Sequence, residues 1–314
     1  MRPTVTVVMP VYNKAKYVGR AIQSVLDQTY PVMELLIVDD ASTDESMKKV
    51  AAFDDPRIRV LSRTRSGPGG YAARNLGIRR ATGDWIGFLD ADDFWFPEHI
   101  EHAMEVLKEF PDTSIISAGR IDQFGTKQKL DPFSERFMSK GAQVLYLSDY
   151  LQYACKGMRC IQTNTILIKR AALSSYMVFP EGRTNRSGDL FAWVKLMAKL
   201  KRMVWSPHVA AISYRDVVGV SRTATPSIHL FRQMVDEFGP FENDKDERWL
   251  KNYSNKMIKY AWLEAKKKRV ALPMLLLPRS FYWMHDVAYC LKWTLISLVP
   301  FGILEWLKLR FQAD

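Results

Sequence analysis

Three aspartates stand together at the end of the apolar run in residues 85–93, Trp-Ile-Gly-Phe-Leu-Asp-Ala-Asp-Asp. Such a run is typical of a strand buried in a sheet, and the residues after it emerge at the carboxyl edge, where open α/β sheets bind ligands. Like charges so close together repel each other unless a divalent cation lies among them. Asp90, Asp92 and Asp93 therefore predict a metal site that serves substrate phosphates; the alternative is a polar turn after a strand.

Two earlier apolar runs also end in polar residues. Val5–Val8 leads into a proline followed by an aromatic residue, which can present backbone groups and a ring face to a nucleobase. Leu35–Val38 ends in Asp39-Asp40-Ala41-Ser42, whose carboxylates can accept hydrogen bonds from a base or a ribose. An ordinary strand-to-helix turn explains each feature equally well, because Asp and Ser are favoured helix caps. The candidate nucleotide contacts here are Pro10, Val11, Tyr12, Asn13 and Asp40.

A glycine-rich loop opens a predicted helix at residues 67–75, Gly-Pro-Gly-Gly-Tyr-Ala-Ala-Arg-Asn. Backbone N–H groups at the start of a helix favour phosphate, and Arg65 or Arg74 can add a charge-assisted hydrogen bond. The loop has neither the Walker pattern nor the Rossmann fingerprint, so neither site is predicted.

These side chains need a scaffold, and the first hundred residues alternate between strand and helix periodicity. This rhythm predicts βαβ units and an α/β fold with a mostly parallel sheet flanked by helices. Predicted strands are Val5–Val8, Leu35–Val38, Ile58–Leu61 and Trp85–Leu89, and predicted helices begin near Tyr17, after 42–44, at Tyr71 and through Pro97.

The remainder of the chain is less regular. Strands are predicted at Ser114–Ala118, Ile161–Ile168 and Val209–Tyr214, a helix at Asp189–Leu200, and a polar loop covering a site at 120–150. After about residue 226 helical patterns dominate. We expect three regions: 1–112 and 113–225 as the donor and acceptor halves of one sheet, and 226–314 as a helical extension.

Positive charge is concentrated in the last part of the chain. Residues 245–314 hold 13 Lys/Arg and 6 Asp/Glu, a balance of +7 out of the chain's +11. Such a basic region suits an anionic partner, either nucleic acid or a phospholipid surface. The longest uncharged stretch there, Trp293–Leu304, has 12 residues, too few to span a bilayer but suited to helices in the headgroup region. The alternative is that these helices pack on the protein or on a second subunit.

Cysteine and histidine add little. Three cysteines form neither a disulfide framework nor a zinc pattern, which favours a reducing compartment. His99 and His102 have a metal-compatible spacing on a predicted helix, but without a third ligand in view a solvated helix face is favoured.

The motifs together resemble the inverting, metal-dependent glycosyltransferases of family 2, which have the GT-A fold and serve bacterial polysaccharide and lipid-linked glycan synthesis. The resemblance covers roughly residues 3–222. It rests on Thr6-Val-Val-Met-Pro-Val-Tyr-Asn13, Leu36-Ile-Val-Asp-Asp-Ala-Ser42, Ala73-Arg-Asn-Leu-Gly77 and Phe88-Leu-Asp-Ala-Asp-Asp93, in this order.

The resemblance implies roles for these residues. Pro10–Asn13 and Asp40 would hold the uridine of a UDP-sugar, and Asp90 and Asp92 its ribose and diphosphate. Mn²⁺ or Mg²⁺ would be bound by Asp92 and Asp93. Asp189, in Ser187-Gly188-Asp189, would be the base that takes the proton of the acceptor hydroxyl, although a plain helix cap is the alternative. Candidate contacts to acceptor or diphosphate are Arg183, Arg186, Trp193 and Arg215.

One motif of the family is incomplete. Tyr214-Arg215 followed by Ser221 resembles the segment that closes over the diphosphate, but the histidine often found between these positions is absent. Val217 and Val218 stand near its expected place.

The sequence thus predicts a glycosyltransferase that moves one sugar, with inversion, from a nucleotide-sugar donor, UDP-linked, to a lipid-linked saccharide. We expect it in the cytoplasm, peripheral on the inner face of the membrane, with its oligomeric state open. A nucleotidyltransferase would carry a Gly- and Arg-rich signature after the first strand, which Val11–Lys16 lacks. The remaining alternative is a catalytically silent binding module, docked on a membrane or on nucleic acid; nucleic acid is disfavoured because no stacking motif appears outside the tail.

Overall fold

The computed structural model describes residues 2–173, 177–217, 224–300 and 302–303, in which ten strands form one mixed sheet. The strands are β1 (Val5–Val11), β2 (Glu34–Asp39), β3 (Ile58–Ser62), β4 (Trp85–Phe88), β5 (Phe94–Trp95), β6 (Ile115–Phe124), β7 (Lys127–Leu130), β8 (Gln143–Tyr146), β9 (Leu167–Lys169) and β10 (Arg202–Tyr214). They lie in the order β3-β2-β1-β4-β9-β6-β10-β5, with β7 beside β6 and β8 beside β10.

Eleven α-helices flank this sheet within the described residues. They are α1 (Val18–Leu26), α2 (Ser46–Val50), α3 (Tyr71–Arg80), α4 (His99–Glu109), α5 (Pro132–Phe137), α6 (Leu147–Cys155), α7 (Gly188–Leu200), α8 (Ile228–Phe238), α9 (Asp244–Lys267), α10 (Leu276–Ser280) and α11 (Val287–Ser297). The predicted α/β fold with a helical extension is confirmed.

The amino-terminal half of the sheet is parallel. β1 pairs in parallel with β2 and β4, and β2 with β3. Alternate side chains of β1 enter two cores: Val7 packs in the core that includes α1 and α4, and Val8 in the core that includes α3 and α7. Burial on both faces explains why this strand is a continuous apolar run. Because the strands are parallel, their acidic carboxyl ends meet at one edge.

The carboxyl-terminal half joins this sheet through short antiparallel strands. β9 lies between β4 and β6 and is antiparallel to both, whereas β10 runs parallel to β6. The β10 ladder is irregular between Ser206 and Val209, a bulge that bends the strand. The small strand β5 follows the acidic cluster and pairs with β10 at Ile212.

Several sequence predictions for residues 97–168 were wrong. The segment 120–150 is no irregular loop: it holds the rest of β6, then β7, α5, β8 and the start of α6. Its edge strands are exposed and polar, so they lack the apolar signal of buried strands. Of the strand predicted at 161–168, only residues 167 and 168 belong to a strand, β9, which follows a 3₁₀ turn at Thr163–Thr165. Pro97 precedes α4 by two residues instead of lying in its first turn.

The helices after residue 226 pack on the sheet domain and on each other. Leu250, Ile258 and Trp262 of α9 are buried in the same core as α7. α11 differs, since Val287, Leu291 and Leu295 on it are each at least half exposed. Among the described residues, no helix is both long and apolar enough to cross a membrane.

Candidate active site

A cavity of about 290 Å³ opens at the carboxyl edge of the sheet. Its wall combines carboxylates with guanidinium groups, a pairing suited to a metal ion and an anionic substrate. The acidic members are Asp90, Asp92, Asp93 and Asp189, and the basic members are Arg74, Arg120, Arg186 and Arg215.

Asp93 is the buried member of the acidic cluster. Its carboxylate accepts hydrogen bonds from the Tyr214 N–H at 3.0 Å, from the Ser213 hydroxyl at 3.0 Å and from the Asn164 amide. Burial, together with the charges of Asp90 and Asp92, raises the pKa of Asp93 to about 8. The three carboxyl groups are therefore as crowded in the fold as the sequence predicted.

Asp90 and Arg74 form an ion pair at the floor of the cavity. Arg74 is buried, and one of its terminal nitrogens donates to the Gly69 carbonyl at 2.6 Å, so the guanidinium links the glycine loop to the acidic cluster. Gly69 has a φ of +66° and Gly70 of +64°, values that disfavour a side chain. Arg65, the other predicted phosphate contact, is exposed on this loop and does not line the cavity.

Asp92 is partly exposed, as is Asp90, whose side chain is 32% exposed. The Asp92 carboxylate lies 2.6 Å from the Lys14 ammonium, and the side chains of the two residues are 20% and 18% exposed. The Arg20 guanidinium donates to the Asp92 carbonyl at 2.8 Å. Lys14 was not predicted, although it directly follows the first-strand motif.

The acidic cluster fits a hard divalent cation. Its donors are all oxygens, which is the set that Mg²⁺ and Mn²⁺ take. Asp92 faces the cavity, and the three hydrogen bonds to Asp93 leave about one of its roughly four lone-pair positions unused. A cation there would also replace Lys14 as the counter-ion of Asp92.

Asn164 holds the cluster in place, and no sequence motif pointed to it. Its side-chain oxygen accepts from the Asp90 N–H at 3.0 Å, and its amide nitrogen donates to Asp93 and to Ser213. Its backbone carbonyl accepts from the Trp95 indole N–H at 2.6 Å. The 3₁₀ turn before β9 thus carries one buried side-chain amide, which forms hydrogen bonds with both Asp90 and Asp93.

Asp189 lies across the cavity at the start of α7. The helix begins at Gly188 with Ser187 as the N-cap, so Asp189 is two positions too late to cap it. Its carboxylate has no hydrogen bond or ion pair with any described residue. The Gly188 N–H donates to the Tyr71 hydroxyl at 2.8 Å, which fixes the first turn of α7. Burial and the negative charge of Asp189 raise the pKa of Tyr71, so this hydroxyl stays protonated.

The first two strand ends lie beside the cavity and do not line it. Tyr12 is 41% exposed, Val11 is fully buried, and Asn13 accepts from the Thr43 N–H at 2.8 Å. Asn13 therefore ties the first loop to the second, and the Val11 carbonyl already accepts from the Asp40 N–H at 2.8 Å. Pro10 packs beside the glycine loop, since its Cβ lies 3.5 Å from the point where a Cβ on Gly70 would be.

Asp40 is buried and already has a partner that was not predicted. It pairs with the Arg63 guanidinium and accepts from the Gly67 N–H at 3.0 Å. The predicted uridine contact is thus joined to the glycine loop, and a base bound there would meet both charges.

The four predicted acceptor contacts separate into two groups. Arg186 and Arg215 line the cavity: Arg186 pairs with Glu264 at 2.7 Å and Arg215 with Asp122 at 2.6 Å. Arg183 is turned away and pairs with Glu237 on α8. Trp193 is fully buried in the core, where its ring contacts Phe179 edge-on, so it does not reach the cavity.

Part of the predicted closing segment falls outside the described residues, Val218 and Ser221 among it. Val217 lines the cavity.

The positions of the histidines differ from the solvated face that was predicted. His99 is buried against Trp95, at 4.7 Å between ring centroids, and burial with the nearby His102 lowers its pKa to about 3. His102 is partly exposed and stacks on His208 of β10.

Comparison with known proteins agrees with this architecture. The chain is 32% identical over 201 residues to a putative teichuronic acid biosynthesis glycosyltransferase, TuaG, of Bacillus subtilis, covering 63% of this chain and 73% of that protein. It is 39% identical over 103 residues to the Escherichia coli glucosyltransferase WfgD, named for transfer from UDP-Glc to GlcNAc-diphosphoundecaprenol, covering 33% and 40%. Matches to several other curated relatives span between 17% and 42% of their length.

Two solved structures show the same fold at low identity. Staphylococcus aureus TarS, crystallised with UDP-GlcNAc, superposes with a TM-score of 0.72 at 17% identity over 88% of this chain and 79% of TarS. The Pyrobaculum calidifontis mannosyltransferase PcManGT, in complex with GDP-Man and Mn²⁺, gives 0.56 at 18% over 95% and 85%.

The model of glycosyl transferase family 2 matches residues 6–174, more than half of the chain. This stretch contains the acidic cluster, the glycine loop and Asn164. The chain belongs to glycosyl transferase family 2.

Proposed function

We propose that the protein transfers a single sugar from a nucleotide-sugar donor to a saccharide acceptor, with inversion, in bacterial polysaccharide synthesis. One observation carries the proposal: Asp189, whose carboxylate has no ionic partner among the described residues, shares a cavity with the Asp90–Asp93 cluster. A base on one side and a diphosphate site on the other are what such a displacement requires.

The donor would lie along the carboxyl edge of the sheet. Its nucleoside, a uridine, would contact Pro10–Asn13 and Asp40, and its ribose Asp90. The guanidinium of Arg74 is buried beside these groups and would face the diphosphate. TarS was solved with UDP-GlcNAc and WfgD is named for UDP-Glc, which supports a uridine donor.

Mn²⁺ or Mg²⁺ would be held by Asp92 and Asp93. A divalent cation there neutralises the charge that develops on the departing diphosphate. PcManGT was solved in complex with Mn²⁺, which supports this choice. Lys14, now bound to Asp92, supplies positive charge at the same place.

Asp189 would act as the base. The acceptor hydroxyl oxygen forms the new bond to the anomeric carbon, its proton passes to Asp189, and the bond from that carbon to the diphosphate oxygen breaks. Attack from the face opposite the leaving group inverts the anomeric configuration. Tyr71 fixes the turn that carries Asp189, while Arg186 and Arg215 would meet anionic groups of the substrates.

The test is release of UDP from a panel of UDP-sugars, with and without Mn²⁺, by the wild-type protein and by Asp189→Asn. The variant should bind UDP normally and lose about 10²- to 10⁴-fold in turnover, the range that a general base supplies. Asp112→Asn, at an exposed position outside the cavity, is the matched control. Turnover by Asp189→Asn equal to that of the control would remove Asp189 from the mechanism.

We further propose that the acceptor is lipid-linked and that α11 docks on the cytoplasmic face of an anionic membrane. Val287, Leu291, Leu295 and Leu298 recur at intervals of three or four residues and are each about half exposed. Met284, just before the helix, is 89% exposed. An apolar helical face in a region of net charge +7 suits an anionic bilayer surface.

Sedimentation with anionic liposomes tests the membrane surface. Leu291→Asp with Leu295→Asp should abolish co-sedimentation, because two charges would enter the apolar face. Val60→Asp, at an exposed apolar residue on β3, is the control and should sediment as the wild type does. If the double variant still sediments, the surface is wrongly assigned; a concentration-dependent dimer that the double variant abolishes would instead assign the face to a second copy of the chain.

A further inference from the structure

A second group of metal-ligating side chains lies outside the cavity. His102 and Glu105 are one turn apart on α4, and His208 lies in the irregular part of β10. None of the three lines the cavity described above. The two histidines are distant in the sequence, and the contact between α4 and β10 brings them together.

The three side chains lie close enough together for one ion to reach an atom of each. The rings of His102 and His208 are stacked with their centroids 3.7 Å apart and an angle of 7° between planes. His102 Nδ1 lies 3.1 Å from Glu105 Oε2. One ligand atom from each side chain can be chosen so that all three lie within 4.8 Å of one another.

We propose that His102, Glu105 and His208 bind a divalent transition-metal ion of the zinc class. Zn²⁺ takes imidazole nitrogens and carboxylate oxygens at about 2.0–2.2 Å, so its ligand atoms lie roughly 3.3 Å apart in a tetrahedron. The three side chains approach that spacing, and water would complete the coordination. The stacked rings must open slightly, because nitrogen lone pairs lie in the ring planes. This proposal does not depend on the proposed function.

The local charges favour a transition metal over Mg²⁺ or Ca²⁺. Burial and the neighbouring His102 lower the pKa of His208, so its ring is neutral and keeps a free lone pair. The hydrogen bond from His102 lowers the pKa of Glu105, which stays anionic. Lys108 is close enough to act on Glu105 as well and opposes any cation. Imidazole ligands can offset this repulsion only for ions that prefer nitrogen ligands.

The ion would stabilise the contact between α4 and β10, the strand that helps to hold the acidic cluster. α4 follows that cluster in the sequence, and β10 continues from His208 to Ser213 and Tyr214, two of the three residues that hold Asp93. A ligand bound only by the folded protein raises its stability. We therefore expect a structural ion that joins α4 to the β10 bulge.

The experiment uses the chelator-treated full-length protein in excess Mg²⁺, which occupies the oxygen-only cluster. Zinc is titrated by calorimetry while the histidine ring signals are followed by NMR, which is tractable because the chain has 5 histidines. One equivalent should shift the signals of His102 and His208, leave those of His229 and His285 in place, and raise the thermal midpoint by a few degrees.

Variants decide the assignment. His208→Gln and Glu105→Gln should each weaken zinc binding at least about tenfold, since even outer partners of metal ligands matter by that much. His229→Gln, at an exposed position on α8, is the matched control. Asp92→Asn separates this site from the catalytic one and should bind zinc as the wild type does. Unshifted His102 and His208 signals, unchanged affinity in both ligand variants, or loss of zinc binding only in Asp92→Asn would overturn the proposal.

Discussion

The Tyr71 hydroxyl accepts a hydrogen bond from the Gly188 N–H at 2.8 Å, and through it the helix after the glycine loop fixes the turn that carries Asp189. The contact leaves no room for a side chain at position 188, because a Cβ on Gly188 would lie 2.8 Å from the Tyr71 ring and 2.8 Å from Pro180. The donor side and the proposed base are therefore joined by one buried phenol.

Tyr71→Phe should lower kcat by more than its loss of folding stability explains. Losing this hydrogen bond leaves the Gly188 N–H without a partner and costs about 1–3 kcal/mol in the free energy of unfolding. Tyr282→Phe is the matched control, because the Tyr282 hydroxyl donates to the Arg232 carbonyl at 2.7 Å in the helical extension. Urea denaturation and kcat should show similar destabilisation in both variants and a fall in kcat only for Tyr71→Phe. An equal kcat in the two variants would contradict the positioning role.

Lys14→Met should tighten Mn²⁺ binding in the absence of nucleotide. The lysine neutralises Asp92 and competes with a cation there, and a partly exposed ion pair is worth up to about 1 kcal/mol, or a factor of about five. Calorimetric titration of Lys14→Met, of Asp92→Asn and of Lys16→Met at an exposed position measures the effect. We expect Mn²⁺ to bind more tightly to Lys14→Met, more weakly to Asp92→Asn, and with unchanged affinity to Lys16→Met. Weaker binding by Lys14→Met would mean that Lys14 supports the site by other contacts.

Arg186→Gln and Arg183→Gln form a matched pair that separates the cavity from the surface. Both arginines are paired with glutamates of the helical extension, but only Arg186 lines the cavity. Arg186→Gln should raise the KM for the donor or for the acceptor at least fivefold. Arg183→Gln should leave both KM values unchanged. Glu264→Gln should give a smaller effect of the same sign, because it releases Arg186 from its position. If the two arginine variants have the same KM values, no anionic group of a substrate binds at Arg186.

Stability should fall between pH 7 and pH 5 through His99. Its folded-state pKa is about 3, below the roughly 6.5 of the unfolded chain, so the unfolded state binds the extra proton and gains on acidification. This linkage amounts to about 2 kcal/mol between pH 7 and pH 5. Denaturation at the two pH values should show this loss in the wild type and in His229→Gln and a smaller loss in His99→Leu. An equal loss in His99→Leu would mean that the histidine is solvated.

The sequence predicted the parts of the site that lie at strand ends. The runs before Asp40 and Asp90 are continuously apolar because parallel neighbours bury both of their faces. Their carboxyl ends must then meet at one edge, so clustered carboxylates could be inferred without coordinates. Asp189 was found by family resemblance, and in the fold it lines the same cavity as the acidic cluster.

Long-range partners could not be predicted in the same way. Lys14, Arg63 and Asn164 act through side chains that meet distant residues, and no local pattern records such a meeting. Arg183 and Arg186 stand three apart in the sequence, yet one turns to the cavity and the other to α8. Trp193 was assigned to the substrate from its position in a motif, whereas its ring is fully buried in the core.

Asn164 also has a consequence for the order of assembly during synthesis. A nascent chain emerging from the ribosome would contain Asp90, Asp92 and Asp93 long before the amide that anchors two of them. Until that later segment is inserted between β4 and β6, the early half of the sheet has its acidic residues without their fixed geometry. We therefore expect the proposed metal site to form late, only when the two halves of the sheet have joined.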